Sequence, residues 1–412
     1  MRVLIIGKGG REHALAKKIS ESKQLEKVWV APGNPGMQKM GLECVAVETT
    51  EDVVSFCKSY LVDLVVFGPE TAILSDLKES LEKNGISCLA PTVEAAQLEA
   101  SKAFCKRVLL NAQVKTAGSE LARNWDQVQD LISRHDFTKP LVLKADGLAQ
   151  GKGVHVCESQ ERALLSAADL TQAYGYPLIV EEYLVGQELS AFALCDGEDF
   201  ILLGTACDYK RITPDPFSAN TGGMGAYSPC DFIDEADQTE ISEIFKKSLK
   251  VMKKMNTPFT GFLFAGLMKT EQGIYVLEFN VRLGDPETQA LLPRIESDLL
   301  DLIVKSLQGR LKGLKTEFLD HASVHVVAVS AGYPTHQMEL GNAIEVPVQI
   351  AEGSQIFYAG VAAKNNKLVN SGGRVLGITA LAKTREEARE TAYSEIRKVQ
   401  FKGLYFREDI AR

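Results

Sequence analysis

Residues 274–290 read "IYVLEFNVRLGDPETQA", an apolar strand that then emits Glu278, Asn280, Arg282, Asp285 and Glu287 where a plain turn would suffice. Residues two apart on a strand share a face, so Glu278, Asn280 and Arg282 line one side. A carboxylate, a neutral amide oxygen and a cation in that order suggest oxygen ligands for a hard cation beside an anion-binding group. Mg²⁺ takes such oxygens and completes its octahedron with water and substrate phosphates. Taken alone, the pattern is equally that of a solvated edge strand with a polar face. The choice rests on whether the chain supplies a nucleotide site elsewhere.

The length of 412 residues points to about two to four domains. Hydrophobic residues at 45% and charged ones at 24% are those of a soluble globular chain with sizeable cores. No apolar run is long enough to span a bilayer. The opening "MRVLIIGKGGREHAL" resembles a signal peptide only briefly before turning glycine-rich and charged, and is read as mature structure. The eight cysteines form no C-x-x-C and no cluster with zinc-ligand spacing. They lie mostly in apolar segments, so reduced, packed thiols are expected, in a cytosolic protein. A formal charge of −8 argues against a general nucleic-acid binder, so any phosphate site must be built locally from Lys, Arg and backbone N–H groups.

The first hundred residues alternate strand and helix: "RVLIIG", a helix from Glu12 to Ser22, "KVWVAPGN", "DLVVFGPE" and the helix "SDLKESLEKNG". That rhythm means a parallel, doubly wound sheet with ligands at the carboxyl ends of its strands. "TVEAAQLEASKAFCKRVLLNA" reads as one long helical stretch, followed by a strand-rich α+β centre. After about residue 308 a third, small α+β domain is expected, with "ASVHVVAVSAGYP" and the helix "TREEARETAYSEIRKV".

"VLIIGKGGREHAL" is a strand, a glycine turn and a helix start, an arrangement whose backbone N–H groups can hold an anion. It lacks the third glycine of the dinucleotide fingerprint, where Glu12 stands, and the second strand ends in Ala31-Pro32-Gly33-Asn34 instead of an acid. A phosphate-bearing ligand, a purely structural turn and a nicotinamide cofactor all remain open, in that order. Arg11 can add a charge-assisted contact, while His13 is as suited to packing as to binding. "LVLKADGLAQGKGVHV" is more specific: Lys144 ends a strand, and Gly147, Gly151 and Gly153 surround Lys152 before the next strand. Such a loop can close over nucleotide phosphates. It is not a Walker A sequence, and a loose hairpin is the bland alternative. In "LIVEEYLVGQELS" the backbone of Glu181, Tyr183 and Leu184 can meet an adenine edge and Glu188 a ribose, though an ordinary strand end fits as well. "DYKR" (208–211) and "NTGGMGAYSP" (220–229) add a cationic pair and a glycine turn, each equally readable as a surface loop.

Together, "GKGGREHAL", "APGN", "FGPE", "AAQLEASKAF", "KADGLAQGKGV", "NTGGMGAYSP", "EFNVRLGDPETQ" and "SGGRVL" resemble the phosphoribosylamine–glycine ligase (glycinamide ribonucleotide synthetase) family of the ATP-grasp fold, from the first residues to "FREDI". The resemblance implies a doubly wound parallel α/β domain over 1–100 that binds phosphoribosylamine, an ATP-grasp domain over 101–308, and an α+β domain over 309–412. It implies ligation of glycine to 5-phosphoribosylamine with ATP, and Mg²⁺ or Mn²⁺ as cofactor. The expected partners are these small molecules, with no nucleic acid and no membrane, for a monomer in the cytoplasm.

Matched position by position, Lys102 and Lys144 would contact ATP phosphates, and Gly151, Lys152 and Gly153 would form the closing loop. Glu181, Tyr183 and Leu184 would frame adenine, Glu188 would hold the ribose, and Glu278 and Asn280 would bind the metal. Lys210, Arg211, Arg282 and Asp285 would be catalytic. Asn220, Thr221, Gly222, Gly223, Met224 and Gly225, with Gly284, Pro286 and Glu287, would surround glycine and the transferring phosphoryl group. Gly9, Gly10, Arg11 and Glu12, with Pro32, Gly33 and Asn34, would take the phosphoribosylamine. Two departures stand out: Tyr209 where His is expected in the D-H-K-R run, and Ala100 in place of a glycine before Ser101-Lys102. The alternatives are another ATP-grasp carboxylate–amine ligase and a nucleotide-binding protein that has lost turnover.

Overall fold

Five short strands open the chain and pair in parallel, in the order Glu43–Cys44, Lys27–Pro32, Arg2–Gly7, Leu64–Phe67, Ser87–Leu89. The computed structural model describes residues 1–149, 152–215 and 218–412. Helices such as Gly10–Ile19 and Thr50–Ser59 connect these strands, which is why the strands are continuous apolar runs: Val3, Leu4, Ile5, Leu64, Val65 and Val66 are all buried. The order reverses beside Arg2–Gly7, so Gly7 and the turn after it stand at the switch point where open α/β sheets bind ligands.

The long helical stretch expected over 92–112 is two helices, Val93–Ala100 and Lys102–Asn111. Ser101 breaks it in an extended conformation (φ −132°, ψ 112°) because its Oγ accepts the Phe104 N–H at 3.1 Å as an N-cap. The break aims the second helix at the strand end beside Asp146, which accepts the Ser101 hydroxyl.

A four-stranded antiparallel sheet follows, ordered Ser119–Ala122, Leu178–Glu182, Leu141–Ala145, Val154–Cys157, with its own apolar core. The remaining long strands form an eight-stranded antiparallel sheet: Gly273–Asn280, Thr260–Thr270, Gln187–Asp196, Phe200–Asp208, Gly225–Ser228, Ala322–Val329, Arg374–Ala382 and Ser354–Tyr358. The C-terminal strands therefore extend the central sheet. Their link is Gly225–Ser228, a buried strand in a stretch also readable as a surface loop. No described helix is long and apolar enough to cross a membrane.

The expectation of uniformly reduced cysteines is corrected at one pair: Cys207 and Cys230, brought together by neighbouring strand ends, are joined as a disulfide. The other six are free, five of them buried.

His13, left open between packing and binding, packs. Its Nδ1 accepts the Tyr358 N–H at 2.9 Å, and its ring stacks on Tyr358 and meets Phe357 edge-on. It thereby docks the N-terminal helix on Ser354–Tyr358, the edge strand of the eight-stranded sheet. Burial, aided by Lys17, lowers its pKa from 6.5 to about 3, so the ring is neutral when folded. A depressed folded pKa means the contribution is complete above the unfolded value and is lost as pH falls from about 6.5 towards 3, by at most roughly 4–5 kcal/mol. We expect His13→Asn to flatten the fall in unfolding free energy between about pH 6.5 and 4. Identical slopes in denaturant titrations would refute this assignment.

Candidate active site

The end of strand Gly273–Asn280 carries the polar row. Glu278 lies opposite Gly266 and Asn280 opposite Phe264, with a register shift between Gly266 and Leu267 that re-aims the strand just before Glu278. Among the described residues the Glu278 carboxylate forms no ion pair or hydrogen bond, although it is only half exposed and faces the fields of Lys102, Lys210, Asp208 and Glu99. A carboxylate so placed beside the Asn280 amide oxygen is a donor set that fits a hard divalent cation. No group of three or more His, Cys, Asp or Glu side chains among the described residues is arranged as a metal site, so such an ion would also need oxygens from water or substrate.

Cations flank this strand. Lys102 Nζ donates to the Gly147 carbonyl at 2.9 Å; burial lowers its pKa while Glu278 opposes that. Lys144 Nζ is 2.8 Å from Glu181 Oε2 and 3.3 Å from the Leu277 carbonyl. Lys210 sits 2.5 Å from Glu188 and 4.0 Å from Asp208; burial lowers its pKa, but the two acids outweigh burial and raise it. Lys152 is exposed, Gly153 bonds back to Ala145, and Gly151 lies outside the described residues.

Asp208 and Glu287 are both held above the usual carboxylate range, first by burial and then by neighbouring acids. Glu287 Oε1 accepts the Ser190 hydroxyl at 3.2 Å. Asp285 is kept below that range because Arg374 and Arg11 outweigh its burial. Arg374 Nη1 also donates to the carbonyls of Gly222 and Asp285, both at 2.6 Å, and Tyr333 Oη accepts the Gly222 N–H. The C-terminal strands thus clamp the 220–225 turn onto the 284–287 turn. Gly223 is wedged there, since a Cβ would lie 2.3 Å from Pro286 Cδ. Thr221 bonds the Lys210 carbonyl, and Asn220 bridges Arg211.

Several expected ligands turn inward instead. Glu181 is on an interior strand paired with Ser119 and Val142, and its carboxylate is enclosed by Lys106 and Lys144, so it has no exposed edge for adenine. Tyr183, exposed, and Leu184, half-buried, lie just past the strand end. Arg282, expected at the phosphoryl group, is held by Glu70, Glu99, Leu283 and Asn280. Arg211 donates to the Ser218 carbonyl on its own loop, and Met224 is core. In the N-terminal turn, Glu12 accepts the Gly9 N–H at 2.7 Å and Arg11 Nε at 2.6 Å, capping the helix that was expected to hold a free anion site. Gly10 packs against Gln289, leaving a cavity of about 10 Å³, near one water in size, lined by both with Asp285 and Arg374. Arg11 also bonds Leu283, and Asn34 bonds Lys8 and Tyr358 carbonyls while capping the next helix. Gly33 adopts φ +64° with Cys44 against it, and Pro32 closes the strand before it. The missed members, Glu70, Glu99, Lys106, Asp208 and Arg374, all stand within or beside the quoted motifs.

Family models described as the N, ATP-grasp (A) and C domains of phosphoribosylglycinamide synthetase match residues 1–99, 100–288 and 323–412 in order. The chain belongs to this family. Within the synthetase family it is 41% identical to a phosphoribosylamine–glycine ligase of Rhizobium meliloti, covering 100% of this chain and 98% of that one. It is 39% identical to that of Caldanaerobacter subterraneus, covering 100% and 99%. The crystal structure of the Thermotoga maritima phosphoribosylamine–glycine ligase superposes with a TM-score of 0.87 at 33% identity, over 99% of this chain and 100% of that one. A synthetase of this kind is an ATP-dependent ligase with a general need for a divalent metal. The Tyr209 departure has a structural partner: its hydroxyl accepts the Ala411 N–H at 2.9 Å, and Arg407 stacks on its ring, tying the C-terminal tail to the "DYKR" run.

Proposed function

We propose that this chain ligates glycine to 5-phosphoribosylamine in purine biosynthesis, converting ATP to ADP and phosphate. The observation that carries the reading is the Glu278 carboxylate, without a partner among the described residues, at a strand end flanked by Lys102, Lys144 and Lys210. A carboxylate and an amine do not condense in water without activation. The glycine carboxylate attacks the γ-phosphorus, ADP leaves, and the acyl carbon of glycyl phosphate is then attacked by the ribosylamine nitrogen. Phosphate departs and the nitrogen sheds its proton. Positioning and charge neutralisation suffice, with no covalent protein nucleophile.

In this scheme Lys102 and Lys144 hold phosphate oxygens, Tyr183 and Leu184 meet adenine, and Glu188 holds ribose. Lys152 and Gly153 cover the phosphates. Lys210 sits at the glycine carboxylate, which the clamped turns 220–225 and 284–287 enclose. Glu278 and Asn280 would hold Mg²⁺ or Mn²⁺, whose chemistry is to neutralise charge on the transferring phosphoryl group. The enzyme works as a cytoplasmic monomer on small molecules only. The test is ADP release with ATP, Mg²⁺ and fresh phosphoribosylamine across a panel of amino acids. Release with glycine alone is expected, and release with a different acid would assign the chain another ligase activity.

A further inference from the structure

We infer that Glu99 is a positioning residue for the metal-binding strand end, holding Glu278 and Asn280 in place through the Val281 N–H and the Arg282 guanidinium. The inference rests on the proposed metal site. Pairing of Gly273–Asn280 with its neighbour stops at Asn280, so Val281 and Arg282 run beyond the last sheet partner. Glu99 takes over there. Its carboxylate is buried, Oε2 accepts the Val281 N–H at 2.7 Å, and Oε1 lies 3.0 Å from Arg282 Nη2. Every guanidinium nitrogen of Arg282 is engaged: Nε with Glu70, Nη1 with the Leu283 carbonyl, and Nη2 with Glu99 and, at 3.4 Å, the Asn280 amide oxygen.

Glu278 thus lies between a register shift on one side and the Glu99 anchor on the other, which fixes its aim from both directions. Glu99 also belongs to the helical turn that immediately precedes Ser101 and Lys102. One carboxylate therefore ties the helix start bearing a phosphate-facing lysine to the strand end bearing the metal ligands. A residue that merely neutralised Arg282 would affect stability without affecting metal affinity. Removing an outer-shell partner that orients ligands typically weakens metal binding by about 10–100-fold.

The measurement is Mn²⁺ binding to the full chain with ADP present, read by electron paramagnetic resonance, with ADP affinity without metal and thermal melting alongside. Glu99→Gln keeps an acceptor for Val281 but drops the charge on Arg282. It should weaken Mn²⁺ binding by about 10–100-fold while ADP affinity without metal stays unchanged. Glu99→Asp, with the charge on a shorter arm, should fall between. If Glu99→Gln does not fold, Arg282→Lys cannot span Glu99, Glu70 and Asn280 together and should weaken Mn²⁺ in the same range. Normal Mn²⁺ affinity in the folded variant overturns the inference. Glu278→Ala separates the two readings: if it loses Mn²⁺ while the Glu99 variant does not, only the inference falls. If Glu278→Ala binds Mn²⁺ normally, the metal site itself is elsewhere.

Discussion

Glu278→Ala should reduce turnover by at least about a thousandfold while leaving the protein folded. The activity loss follows from charge. The carboxylate is the one anionic member of the proposed donor set, and neutralising the transferring phosphoryl group is worth roughly several kcal/mol, at about 1.4 kcal/mol per factor of ten. The intact fold follows from what Glu278 does not do. It makes no ion pair among the described residues, and its field adds to those that raise Asp208 and Glu99. Removing it breaks no ion pair or hydrogen bond among the described residues; it relieves repulsion of Asp208 and Glu99 and gives up attraction to Lys102, Lys210 and Arg282, so the melting temperature should change little. Asn280→Ala should be milder, because water can replace a neutral oxygen. Near-normal activity of purified Glu278→Ala at low Mg²⁺ would remove the metal assignment, and a large fall in melting temperature would show that the carboxylate has a structural partner.

The local grammar of this chain was legible because it is written in short segments. A glycine turn after an apolar strand, a strand ending in Glu278 and Asn280, and a loop spaced by glycines each need only neighbouring residues to be recognised. Alternation of strand and helix in the first hundred residues likewise led to a parallel sheet, and the structure has one. What periodicity does not carry is a break made by a single side chain. Ser101 interrupts a helical pattern because its hydroxyl caps the second helix, and no apolar spacing reports that. Gly225–Ser228 is equally silent, being four residues long and buried between strands distant in sequence.

The direction in which a charged residue points is the other illegible quantity. Arg11, Arg282 and Glu181 stand in the expected motifs, yet each meets a partner fixed by tertiary packing: Arg11 meets Leu283, Arg282 meets Glu70 and Glu99, and Glu181 meets Lys106. These partners lie up to hundreds of residues away, so motif spacing identifies the neighbourhood without separating a group that touches substrate from one that braces it. For Glu278 and Arg282 the distinction comes from hydrogen-bond satisfaction. Among the described residues Glu278 has none, whereas Arg282 has a partner at every nitrogen.

Glu181→Gln should destabilise the four-stranded sheet by roughly 3–5 kcal/mol, the usual cost of removing one partner from a buried ion pair. Glu181 is 3% exposed, and its two oxygens face Lys106 at 2.9 Å and Lys144 at 2.8 Å. An amide in its place leaves two ammonium groups close together without the carboxylate that bridges them. Lys106 already has its pKa lowered by burial, a tendency that Glu181 opposes. Without Glu181 its folded pKa falls further below the unfolded value, so the charged form is the costly one. Raising the pH neutralises it, and the penalty should therefore be larger at about pH 7 than at about pH 9. Lys106→Met in the same chain removes one of the unbalanced charges and should recover part of the loss, which a double-mutant cycle would measure. Hydrogen exchange should locate the weakening in Leu141–Ala145 and Leu178–Glu182, the strands that carry Lys144 and Glu181. A residue that served adenine alone would change nucleotide affinity and leave these strands protected. A loss below about 1 kcal/mol at pH 7, with protection unchanged, would mean that Lys106 and Lys144 find other partners and that the bracing role assigned to Glu181 is wrong.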